Sequence, residues 1–180
     1  MQHRQNKIDP KTLDAEKRVL SSMLHIESAC VKALTALKED DFIGKTNRDI
    51  FLLIQAIYET GRTPTVPLLL QEGLKLGYIT DIKKKEEVQA IYDFEQDHQN
   101  IDYWALEVKK ISKSRKAKQL LRDYYNKIDG AEDIDQFIAD VGDNFFDLAT
   151  DRNDEDVLTG TDICLLAQDI ITERVEKYKE

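Results

Sequence analysis

An all-α chain is predicted from two observations. Apolar residues recur at helical spacing along nearly the whole sequence, and they do so first in five short stretches and then in two longer ones around a single Gly-containing turn. The expected architecture is a small globular helical bundle, then a long antiparallel helical hairpin, then a terminal linker helix. The bundle is assigned to residues 1–99, the hairpin to 100–150 within the same domain, an acidic linker to 151–160 and the linker helix to 161–180.

The first helix is expected to start at Thr12 as cap, with Asp14 and Glu16 in its first turn, where carboxylates favour the positive end of the helix dipole. Leu13, Leu20, Met23 and Leu24 form its apolar face. Ser28 is expected to open a second helix with Val31, Leu34 and Leu37 inward. The third has the clearest pattern: Asn47 as cap, Ile50, Phe51, Ile54, Ile57 and Tyr58 on one face, and Gly61 as a left-handed stop. Thr65 and Pro67 start a fourth helix that ends at Gly77, and a fifth runs through Val88, Ile91 and Tyr92.

From Asn100 as cap, Trp104, Ala105, Val108, Ile111, Leu121, Tyr125 and Ile128 continue a helical pattern for about eight turns, until Gly130. From Asp133, Ile134, Phe137, Ile138, Val141, Phe145 and Leu148 follow at near-heptad spacing. The first of these helices carries eight basic and three acidic residues between Ile101 and Ile128; every charged residue from Asp129 to Asp147 is acidic. Antiparallel packing lays these opposite charges along each other, and exposed pairs of this kind set orientation more than stability, at about 0–1 kcal/mol each. After a charged run from Asp151 to Asp156, Thr161 or Asp162 caps the last helix, whose stripe of Ile163, Leu166, Ile170, Ile171, Val175 and Tyr178 needs a surface to cover it.

The chain has 180 residues, 41% hydrophobic, a formal charge of -9 and a mean hydropathy of -0.52. That is enough apolar content for one ordinary core, and no run approaches the roughly 20 residues of a membrane span, so a soluble, cytoplasmic protein is expected. The acidic balance argues against wide contact with a phosphate backbone, which needs clustered Lys and Arg. The exception is the basic run from Lys109 to Arg122, whose charges spread around the helix without interleaved aromatic residues; a solvated or hairpin-pairing face is the favoured reading, with a protein partner or phosphate contact left open. Cys30 and Cys164 read as buried thiols.

No catalytic, cofactor or metal site is expected. Gly44-Lys45-Thr46 looks like the end of a phosphate-binding loop, but the position of the loop's first glycine is Glu39, whose carboxylate would repel phosphate. His3, His25 and His98 lack metal-ligand spacing, and the run from Asp151 to Asp156 lacks the alternating ligands and glycine of a calcium loop. Trp104 reads as a core or interface anchor rather than a base-stacking platform.

The order of several motifs resembles the amino-terminal domain of the DnaB-type hexameric replicative DNA helicases. Asp14-Ala15-Glu16-Lys17-Arg18-Val19-Leu20-Ser21 is similar to that family's E-A-E-x-x-V-L-G, with Asp14 for Glu and Ser21 for Gly. Glu39-Asp40-Asp41-Phe42 and Arg48-Asp49-Ile50-Phe51 are similar to E-D-F-Y and H-R-x-I-F, with Asn47 at the usual His. Gly61-Arg62-Thr63-Pro64-Thr65 with Leu68-Leu69 resembles G-x-P-I-D-x-x-T-L, and Asn100, Trp104-Ala105 and Val108 resemble N-x-x-x-Y-A-x-x-V.

The resemblance implies a non-catalytic collar domain acting in DNA replication. Such domains pair through their hairpins, as dimers that build a trimer of dimers or hexamer, and receive the carboxy-terminal domain of primase; a helicase loader is a further partner it allows. The hairpin interface is then expected on Trp104, Val108, Ile111, Leu121, Tyr125, Phe137, Val141 and Phe145. The linker-helix interface, against a neighbouring subunit's motor domain, is expected on Ile163, Leu166, Ile170, Ile171 and Tyr178. ATP and Mg belong to a motor expected beyond Glu180, DNA is met weakly or through the full hexamer, and no membrane is involved. Two other readings stay open: the helicase-binding carboxy-terminal domain of primase, against which Met1 at the start counts, and a small helical nucleic-acid-binding regulator.

Overall fold

The computed structural model describes residues 10–150. Among them are seven α-helices and no strand: α1 (Pro10–His25), α2 (Glu27–Ala36), α3 (Lys45–Glu59), α4 (Val66–Leu76), α5 (Ile82–Tyr92), α6 (Ile101–Lys127) and α7 (Ile134–Thr150). Short 3-10 turns at Glu39–Asp41, His98–Asn100 and Ile128–Gly130 lie before α3, α6 and α7. The all-α expectation and the order of helices hold. No described helix is long and apolar enough to cross a membrane.

Two compact units are present, one ending at Leu120 and the other starting at Leu121. The boundary thus falls inside α6, nearly six turns later than the expected start of the hairpin at residue 100. The reason is burial: Ile101, Ala105, Val108 and Ser112 form a stripe on α6 that is sealed into the first unit.

The core of the first unit is built from α1 (Val19, Leu20, Met23), α3 (Ile50, Phe51, Ile54, Ile57), the start of α6 (Ile101, Ala105, Val108) and Leu69 of α4. Phe42 anchors the connection between α2 and α3, its ring 4.7 Å from that of Phe51. Gly61 and Gly77 take φ of +74° and +77°, the left-handed stops that the sequence predicts after α3 and α4 and that only glycine adopts without cost. Gly73 serves packing instead. A Cβ there would lie 2.5 Å from Ile79 Cδ1 and 2.7 Å from Cγ1. Gly73→Ala is therefore expected to destabilise by about 1–3 kcal/mol through overpacking, despite alanine's better helix propensity, measurable by urea denaturation.

Several expected helix starts are corrected. α1 begins at Pro10, so Thr12 is a buried first-turn residue. α2 starts at Glu27 without a side-chain cap, and it turns Ala29, Cys30 and Ala33 inward while Val31 is 41% exposed. Of the expected inward residues, Leu37 is buried and Leu34 packs against the core, so only Val31 is corrected. Asn100 closes a 3-10 turn and gives its side-chain amide to Asp97. Thr65 occupies the N-cap position of α4 without a side-chain hydrogen bond, whereas Asp81 and Asp133 do accept from backbone N–H groups at the starts of α5 and α7.

Asn47 is not a cap either. It lies within α3, which starts at Lys45, and its amide donates to Glu16 Oε2 at 2.7 Å. Glu16 is 1% exposed and accepts from Ile43 N–H at 2.7 Å and Gly44 N–H at 3.3 Å as well. The start of α3 is thus held by a carboxylate from α1, and that carboxylate occupies the helix end that made Gly44-Lys45-Thr46 look like a phosphate loop.

Candidate interaction surface

Part of the basic side of α6 meets the turn before α3. Asp41, nearly fully buried, accepts from Lys38 N–H at 3.0 Å and from Lys109 Nζ at 3.1 Å, with Lys116 Nζ 3.5 Å away. The Arg115 guanidinium donates to the Asp40 carbonyl beside it. Burial pushes the Asp41 carboxyl up, but the Lys38 N–H, Ser112 and Lys109 outweigh it and hold the group below its ordinary value. Lys109, Arg115 and Lys116 are therefore attached to the turn before α3. For these three residues the expectation of a solvated or hairpin-pairing face is corrected, since they fasten α6 to its own bundle; Lys110, Lys118 and Arg122 are exposed, as a solvated face requires.

Trp104 is half-buried against the core, donates from Nε1 to Asp97 Oδ2 at 2.9 Å, and carries the Arg18 guanidinium 4.9 Å from its ring centre. Val108 is 1% exposed and belongs to the core of the first unit, so it offers no open surface. Ile111 is half-buried.

The second unit contains the last turns of α6 and all of α7. The chain reverses through Ile128–Gly130, the Tyr124 ring meets Phe137 edge-on at 5.4 Å, and Tyr124 Oη donates to the Asp140 carbonyl at 3.3 Å. On α7, Phe137, Val141, Phe145 and Leu148 are half-buried, but no residue of the helix is fully buried. Leu121 (58% exposed), Tyr125 (79%), Ile128, Ile134, Ile138 (61%) and Phe146 stand open. No Lys or Arg occurs between Ile128 and Thr150.

An apolar set of this size on a short helical reversal is what a partner surface looks like. Of the eight hairpin residues expected from sequence, the structure brings Leu121, Tyr125, Phe137, Val141 and Phe145 into this unit, and keeps Trp104, Val108 and Ile111 in the other. Exposed Ile134, Ile138 and Phe146 are not among the interface residues expected from sequence; near-heptad spacing was the available signal for Ile134 and Ile138, and Phe146 lies outside that pattern. The linker-helix residues Ile163, Leu166, Ile170, Ile171 and Tyr178 lie outside the described residues, as do Cys164 and His3.

Other groups are satisfied locally. Cys30 is fully buried, and desolvation, with Glu27 nearby, pushes its thiol up to about 11. His25 ends α1, stacks on Tyr92 at 4.2 Å and places Nδ1 2.8 Å from the Ser21 carbonyl. Among the described residues no His, Cys, Asp and Glu side chains cluster as a metal would require.

A family model described as DnaB-like helicase N terminal domain matches residues 8–110, more than half of the chain. Among solved structures, the chain is similar to the crystal structure of the N-terminal domain of DnaB helicase from Mycobacterium tuberculosis, with a TM-score of 0.69 and 20% identity, covering 75% of this chain and 96% of that one. At that identity the likeness speaks for the fold alone. No curated protein matches.

Proposed function

Because the chain belongs to the DnaB-like helicase N-terminal domain family, we propose that it is a non-catalytic assembly module of a replicative helicase, pairing with a second copy through its α6–α7 reversal. The observation that carries this reading is the open apolar set Leu121, Tyr125, Ile128, Ile134, Ile138 and Phe146 on a unit in which α7 has no buried residue. Burying such a set against its own copy removes apolar area from water at about 25 cal/mol per Å2, less the ordering costs of association.

In this reading the pairs build a collar, the helix after residue 160 meets a neighbouring motor, and nucleotide hydrolysis with ATP and Mg belongs to that motor. The carboxy-terminal domain of primase docks on the collar, and a loader is a further partner. The family match favours the helicase over the primase domain. The attachment of Lys109, Arg115 and Lys116 to the Asp40–Asp41 turn counts against a nucleic-acid regulator built on the basic run.

Sedimentation velocity over a concentration series tests the pairing. The chain is expected to form dimers or larger species, and the double variant Tyr125→Asp, Ile138→Asp to sediment as monomer with at least hundredfold weaker association, its circular dichroism unchanged because both side chains are exposed. A parent chain that stays monomeric at high concentration removes the proposal. Titration with the primase carboxy-terminal domain tests the docking role separately.

A further inference from the structure

One concave feature of the first unit is untouched by this reading. Between α1, the start of α3 and α5 lies a groove of about 340 Å3, within the range of small binding sites, lined by Leu13, Lys17, Lys45, Thr46, Ala90 and Ile91. Its lining is mainly apolar, and it shares no residue with the open face of α6 and α7.

We propose that this groove binds an acidic peptide segment of a partner protein, taking one aliphatic side chain between Leu13, Ala90 and Ile91 while Lys17 and Lys45 meet the flanking carboxylates. The charge balance at the rim supports the choice. Glu87, a carboxylate in the lining, is taken up by Lys84 Nζ and Thr46 Oγ1, each at 2.9 Å. Glu16 lies behind Gly44 and is held by the Ile43 and Gly44 N–H groups and by Asn47. Lys45 is exposed, and Lys17, which also lines the groove, places its ammonium 5.5 Å from the Phe94 ring centre.

Two features favour a peptide over a nucleic acid. No aromatic ring lines the groove for a base to stack on, and the chain's charge of -9 opposes a long run of phosphates. A short acidic segment needs only the local cations. The apolar floor then supplies specificity, since a purely charged ligand gains nothing from it.

The test is fluorescence anisotropy on the full chain with a short fluorescein-labelled peptide carrying a central leucine between aspartates. Saturable binding is expected, weakened about tenfold by Lys45→Glu and lost with Ala90→Trp, which fills the groove from an exposed position. The same peptide with serine for leucine is expected not to bind. Equal binding of the serine peptide, retention of binding by Ala90→Trp, or no saturation overturns the proposal. So does preferential binding of a single-stranded oligonucleotide that Lys45→Glu abolishes. Sedimentation of Ala90→Trp separates this site from the pairing surface: unchanged self-association with lost peptide binding supports the groove as a distinct site, and lost self-association with peptide binding intact makes it a self-interface and ends the proposal.

Discussion

Glu16→Ala is expected to destabilise the protein by about 3 kcal/mol, read as a lower urea midpoint. The side chain is 1% exposed and is the acceptor for two backbone N–H groups and the Asn47 amide, itself 4% exposed. Alanine leaves those donors at the start of α3 without the carboxylate. Glu16→Gln retains the volume but turns an N–H group toward one of the donors, so it is expected to fall between the parent and Glu16→Ala. A Glu16→Ala protein as stable as the parent would show that the donors find other acceptors.

The pH dependence of this group has a definite sign. Burial pushes the Glu16 carboxyl up, the hydrogen bonds from Asn47, Ile43 and Gly44 oppose it, and the net value lies above the ordinary 4.5. The native state therefore holds the proton more tightly than the unfolded chain. Its contribution is fullest below 4.5 and decreases as pH rises through the native value, so that slope in unfolding free energy should vanish in Glu16→Ala.

Asp41→Ala is expected to cost a comparable amount, about 3 kcal/mol, because it removes the buried acceptor shared by the Lys38 N–H, Lys109 and Lys116. Its linkage runs the other way. The native carboxyl is held below 3.8, so its contribution is present above that pH and is lost as pH falls through the native value. Acid titration followed by circular dichroism should show the parent losing stability there and Asp41→Ala losing less. Faster hydrogen exchange around Lys109 to Lys116 of α6 in the variant would show that this turn fastens the helix; exchange unchanged there would refute that role.

Both carboxylates were in view in the sequence, Glu16 in the motif at 14–21 and Asp41 in that at 39–42, but only as letters of a pattern. Nothing local distinguishes Glu16 from Asp14, two residues away on the same helix. The partners that give Glu16 its role lie 27 to 31 residues on, and Lys109 lies 68 from Asp41. The same gap explains the misplaced caps. Asn47 has the chemistry of a cap, and a buried carboxylate from another helix claimed its amide instead.

By itself the sequence determined what depends on periodicity and backbone chemistry: the all-α class, the inward face of α3 through Ile50, Ile54 and Ile57, the glycine stops at Gly61 and Gly77, and the apolar spacing of α7. These follow from contacts within about two turns of helix, which the order of residues encodes directly. Only the tertiary structure decided where α6 changes allegiance. Ile101 to Ser112 and Leu121 to Tyr125 continue one apolar pattern, yet the first stretch is sealed by the bundle and by Asp41 while Leu121 and Tyr125 stand open. A helical period records that a face is apolar; which surface covers it depends on where the rest of the chain has packed.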